Sequence, residues 1–153
     1  MHIRPVKSGS TNPESNPAPP FVFDGFDIQM IDLGLPSGTK WGDRNLGATI
    51  EADKGDYISW GEIQPKVDYR YTNYPYYESN SIVEGYHLKP EYDAATQRLG
   101  SLCRMPTEEE IEELILNCTA TWESATDLNG IQIWGMRYTS KINGNSIFFP
   151  CGG

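Results

Sequence analysis

Basic residues are scarce in this chain. Its 153 residues hold 12 Lys and Arg against 21 Asp and Glu, a formal charge of −9. Phosphate backbones and anionic lipid both need clustered Lys and Arg, so neither a nucleic acid nor an anionic membrane surface is an expected partner. Long apolar runs are also missing. No stretch approaches the roughly 18 apolar residues of a membrane span, so insertion of this segment is not expected. Cysteine is sparse: Cys103, Cys118 and Cys151 lie far apart with no Cys-x-x-Cys, which disfavours zinc. One disulfide with a free thiol fits three cysteines, and so do three reduced thiols. There are two histidines, His2 and His87, and nothing in the sequence points a nucleophile at either. Phosphate-cradling glycine loops and calcium-loop spacings are absent, so no metal or cofactor is expected. Residues 1–20 lack the apolar run of about 7–15 residues that a signal peptide carries. Read alone, that opening places the chain in the cytoplasm.

What is present suits one globular domain. Hydrophobic residues make up 38% and glycine adds 15 residues, close to the usual share for a packed core. Residues 5–20 are rich in Ser, Pro, Asn and Gly and read as a flexible linker over 1–20, with folding from about residue 21. Strands are expected over 28–35 and 39–45 about a Pro36-Ser37-Gly38 turn, and over 57–60. Residues 64–89 show no period and read as a long irregular segment. A short helix is expected over 91–99, with Ala94, Ala95 and Leu99 inward. The strongest helix spans 107–118. Thr107 is a natural N-cap with Glu110 completing a capping box. Ile111, Leu114, Ile115 and Cys118 form one apolar stripe, so Cys118 is expected to be an inert core thiol. Residues 107–128 hold seven acids and no Lys or Arg, which reads as a solvated face. Strands follow over 119–124, 131–134, 137–142 and 146–149, with Asn143-Gly144 as a hairpin turn. An unpaired border is expected on the last of them.

One cluster stands out for binding. Five of the nine tyrosines, Tyr69, Tyr71, Tyr74, Tyr76 and Tyr77, lie in nine residues. Tyrosine combines large contact area with a polar tip, as binding loops and sugar-stacking platforms require, although rings also pack long loops onto a domain. Trp60 and Glu62 precede the cluster, an aromatic beside a carboxylate. These seven residues are the candidate ligand-binding set; no catalytic residue is assigned.

The segment Ile31-Asp-Leu-Gly-Leu-Pro-Ser-Gly-Thr-Lys-Trp41 resembles the opening signature of the Fibrobacter succinogenes major paralogous domain, which is widespread in secreted proteins of gut Bacteroidetes. Asn45-Leu-Gly-Ala48, Gly55-Asp-Tyr57, Trp60-Gly-Glu62, Asp93-Ala-Ala95, Arg104-Met-Pro-Thr107, Asn117-Cys-Thr119 with Trp122, and Gly144-Asn-Ser-Ile147 with Phe149-Pro150 follow in order. The resemblance implies an α+β, C-type lectin-like mixed domain. It also implies a binding module displayed outside the cell, often on lipoproteins. Two departures bear on it. Such domains continue past the Phe-Phe-Pro position, and Ile3-Arg-Pro-Val6 looks like their closing strand. The expectation is therefore the tail of one repeat and a linker over 1–20, then the front portion of the next domain over 21–153. The alternative is that residues 3–6 fold back onto their own chain. The sugar motifs of calcium-dependent animal lectins do not occur. The paired cysteines of the related formylglycine-generating enzyme belong to the distal half, so none of the three cysteines inherits that role. The function expected is a non-enzymatic adhesion module of an exported cell-surface protein, binding a surface glycan or a protein. A glycan-active or protein-modifying enzyme on the same scaffold and a spacer repeat without ligand are the alternatives.

Overall fold

The computed structural model describes residues 1–8, 28–77 and 79–152. The fold is α+β, with short antiparallel sheets and few helices. In chain order the elements are β1 (Val6–Lys7), β2 (Met30–Ile31), β3 (Lys40–Gly42), β4 (Val83–Glu84), β5 (His87–Leu88), α1 (Ala94–Leu99), β6 (Cys103–Arg104), α2 (Glu108–Asn117), β7 (Cys118–Thr126), β8 (Gln132–Ser140) and β9 (Ser146–Pro150). Short 3-10 turns occupy Tyr71–Asn73 and Pro90–Tyr92. One sheet runs β2-β3-β1-β6, a second β7-β8-β9, and β4 pairs with β5 as a small hairpin.

The amino-terminal residues correct the linker assignment. Val6 pairs with Trp41 on one side and Arg104 on the other, placing β1 inside the first sheet. Ile3 and Val6 are buried, and burying side chains of this size contributes roughly 1.5–3 kcal/mol each. Arg4 enters with them. Its guanidinium donates to Asn45 Oδ1 (2.9 Å), the Gly42 carbonyl (3.2 Å) and the Phe148 carbonyl (2.6 Å). Burial pulls its pKa down to about 10, and these acceptors offset the cost. Residues 3–6 are thus core of this chain, the fold-back alternative. The rest of the expected linker, 9–20, lies outside the described residues.

Two clusters form the core. Ile3, Ile28, Leu46, Ile58, Ala94, Ala95 and Leu99 make one, and Val6, Leu33, Leu35, Trp41, Leu114, Cys118 and Ile147 the other. Helix α1 turns inward the three residues expected of it, capped by Asp93, whose carboxylate accepts from the Ala95 and Thr96 N–H groups. Thr107 caps α2 through the Glu110 N–H. Glu110 does not reach back to the backbone; its carboxylate takes the Thr107 hydroxyl at 3.0 Å and Arg104 at 2.5 Å.

The expected strands change where local geometry competes. Only Met30–Ile31 pairs within 28–35, because Asp32 Oδ1 accepts the Gly34 N–H and Gly34 adopts a φ of 66°. Residues 57–60 form no strand, although Ile58 is fully buried. The strands expected over 131–134 and 137–142 are one strand, β8. Gly135 at its centre packs so closely on β9 that a Cβ would fall 2.7 Å from the Phe148 ring. Of the expected stripe, Leu114 on α2 and Cys118, which opens β7 instead of ending the helix, are buried, but Ile111 and Ile115 are exposed. Among the described residues β9 has no second strand partner, and Arg4 borders it instead, its guanidinium 4.2 Å over the Phe149 ring.

Candidate binding site

The irregular segment after Gly61 has little backbone pairing, so side chains order it. The Tyr69 hydroxyl donates to the Tyr57 carbonyl and accepts the Lys66 N–H at 2.9 Å. Its ring meets Tyr57 edge-on at 5.0 Å. The Tyr74 hydroxyl donates to the Trp60 carbonyl at 2.7 Å, and burial pushes that phenol's pKa up, with the nearby Glu62 charge adding to it. Tyr76 contacts Tyr74 and Tyr92 edge-on. It also lies close over Gly61, where φ is 80° and a Cβ would stand 2.6 Å from Ile82. Lys66 gathers the base of the segment: its ammonium sits 2.8 Å from Glu62 Oε2, donates to the Asn73 carbonyl at 3.0 Å, and lies 5.6 Å from the Tyr69 ring. At the tip, Arg70 holds the Asp68 carboxyl below its usual range by direct hydrogen bonds at the surface.

The seven candidate residues therefore divide. Tyr69, Tyr74, Tyr76 and Glu62 are tied into the segment's own contacts. Tyr71 and Tyr77 face outward, with their rings 5.9 Å apart. Trp60 lines a cleft of about 500 Å³, together with Tyr86, His87, Arg104, Glu108 and Glu109. Sequence reasoning had only Trp60 of that group. The others come together because the β4–β5 hairpin, residues 104–107 and the first turn of α2 line one cleft, a juxtaposition with no local signal.

Within the cleft, Asp93 and Arg104 are already engaged. Asp93 Oδ2 accepts the Met105 N–H at 3.0 Å, and Arg104 pairs with Glu110 and donates to Ser8 Oγ at 2.8 Å. Glu108 and Glu109, in the first turn of α2, are exposed and have no ion pair among the described residues. Tyr86 is almost wholly exposed and Trp60 partly so. Two exposed ring surfaces beside free carboxylates suit a ligand with one apolar face and several hydroxyls.

All three cysteines are free thiols. Cys103 and Cys118 are buried, and burial raises the pKa of each, which disfavours the nucleophilic thiolate. Cys151 is exposed. Among the described residues, no three His, Cys, Asp or Glu side chains converge as a metal site, and no helix is long and apolar enough to cross a membrane. Set beside known proteins, the chain matches no family model, no curated protein and no solved structure.

Proposed function

We propose that this chain is a non-enzymatic binding module of an exported cell-surface protein, with a C-type lectin-like architecture and a glycan as its ligand. The observation that carries this is the Trp60 cleft. A pyranose ring stacks its C–H face on an aromatic ring, and its hydroxyls donate to carboxylates. Trp60 and Tyr86 supply the rings, and Glu108, Glu109 and His87 supply polar partners. The sequence resemblance over residues 28–150 supports the architecture and the display outside the cell. The buried thiols Cys103 and Cys118 weigh against the enzyme alternative at those two positions.

A glycan array probed with the full chain tests this. At least one glycan should be captured, and Trp60→Ala should weaken capture by about ten-fold or more, the loss of one good stacking contact. The melting midpoint should stay within a few degrees, since Trp60 is 38% exposed. Capture that ignores Trp60→Ala defeats the proposal, and so does an array without a single ligand.

A further inference from the structure

A second surface, which adjoins the Trp60 cleft at Met105 and Pro106, carries a further inference. Helix α2, one face of β8 and β9, and the amino-terminal residues 2–4 border an open trough of about 320 Å³. Ile111, Leu114 and Ile115 form one wall, and Met136, Tyr138 and Phe149 the other. The strand register extends that second wall. Trp122 lies opposite Met136 and Met136 opposite Phe149, while Trp134 lies two residues along β8 on the same side. Trp122 and Trp134 stack at 6.1 Å with planes 14° apart. Ile111 is 43% exposed, Ile115 53%, Trp122 56% and Trp134 48%. Large side chains left half in water along one continuous face mark a site of association. The floor adds a polar signal: Trp41 is buried there, and its indole N–H has no acceptor among the described residues.

We propose that this trough receives a basic amphipathic helix from a partner protein. The trough is lined by apolar side chains of α2, β8 and β9, which suits a helix with an apolar stripe, and Arg4 borders the open edge of β9 by taking the Phe148 carbonyl. The rim supplies the charge preference. Glu108 and Glu112, three residues before and one after Ile111, border the Ile111–Ile115 row, are exposed, and have no ion pair among the described residues. No Lys or Arg occurs from residue 105 to residue 136. Arg4 also lines the trough, but it is 4% exposed, and each of its three nitrogens already donates to an oxygen of Asn45, Gly42 or Phe148. A second copy of this chain would set the same acids against each other, and anionic lipid would meet the same repulsion. A sugar would find hydrocarbon walls with few hydrogen-bonding groups.

The probe is a synthetic helical peptide with leucine at i, i+3, i+4 and i+7 and lysine elsewhere, set against the same peptide with glutamate for lysine. The full chain, followed by tryptophan fluorescence, should bind the lysine peptide about ten-fold more tightly at low salt, and added salt should shrink the margin. Ile115→Asp, at an exposed position, should weaken binding about ten-fold or more without moving the melting midpoint. Glu112→Lys should cut the preference by about three-fold. Equal binding of both peptides overturns the proposal, as does binding indifferent to Ile115→Asp. Sedimentation showing a dimer that Ile115→Asp abolishes also overturns it and assigns the trough to a second copy. Fluorescence quenching by oligosaccharides that Ile115→Asp removes overturns it in favour of a sugar. The Trp60→Ala variant should bind the peptide normally, which separates this result from that of the glycan array.

Discussion

Residues 69–77 and the β7–β8 ribbon both carry clustered aromatic rings, and they use them in opposite ways. In the tyrosine segment the backbone forms one 3-10 turn and no strand. Order there comes from hydroxyls on carbonyls, as Tyr69 on Tyr57 and Tyr74 on Trp60, and from edge-on ring contacts. In the ribbon, β7 and β8 pair over nine consecutive positions from Cys118 to Thr126. The ladder already satisfies much of the backbone, so Trp122 and Trp134 need not hold anything and remain half in water. Density of aromatics in a sequence therefore does not identify a binding surface. A ring is free to bind where something else has ordered the chain beneath it.

The largest expected effect tests that contrast directly. Tyr76→Ala removes contacts to Tyr74 and Tyr92 and the cover over Gly61, so it should cost about 2–3 kcal/mol. Trp122→Ala removes a larger ring but should cost less than about 1 kcal/mol, as exposed substitutions do. Urea midpoints of the two variants decide the matter. Equal losses would break the comparison.

A smaller effect sharpens it. Tyr74→Phe deletes the hydroxyl that donates to the Trp60 carbonyl and should cost about 1 kcal/mol at neutral pH. The alkaline dependence has a definite sign. Burial raises the Tyr74 pKa in the folded chain above its ordinary value of 10.0. Above that pH the unfolded phenol ionises first, so the unfolded state holds fewer protons and stability falls as pH rises. The wild-type chain should lose stability more steeply than Tyr74→Phe above that pH, read from urea midpoints across the range. Parallel curves would show that the phenol is not held as described.

Local chemistry was the legible part of this fold. Thr107 signals the start of α2 because a cap acts within three residues, and Gly38 marks a turn for a similarly short-range reason, whereas α1 starts at Ala94 rather than at the expected residue 91 because Asp93 caps it. Two features escaped for long-range reasons, and a third was only an alternative. The stripe Ile111, Leu114, Ile115 shows which residues share a helix face, but not how much of that face a neighbour covers. Gly135 resembles a break between strands, whereas the sheet needs a residue without Cβ there because Phe148 and Pro150 pass so close. Residues 3–6 sit beside prolines and polar residues, and their strand is defined only by partners more than thirty positions away, Trp41 and Arg104. The candidate site divided along the same line. Trp60 was visible as an aromatic next to a carboxylate, whereas Tyr86, His87, Glu108 and Glu109 join it only through tertiary placement.

The smallest expected effect falls inside the tyrosine segment itself. Tyr71 and Tyr77 contact each other, are 71% and 62% exposed, and donate no hydrogen bond that holds the loop among the described residues. If ordering rather than location decides a ring's role, these two belong with Trp122 and Trp134 despite their neighbours. Tyr71→Ser with Tyr77→Ser should then shift stability by no more than about 0.5 kcal/mol. Tyr76→Ala, between them in sequence, should still cost several times as much. A large loss from the outward pair would mean that the segment is held cooperatively by all its rings. The division between structural and available aromatics would then follow region, not contact.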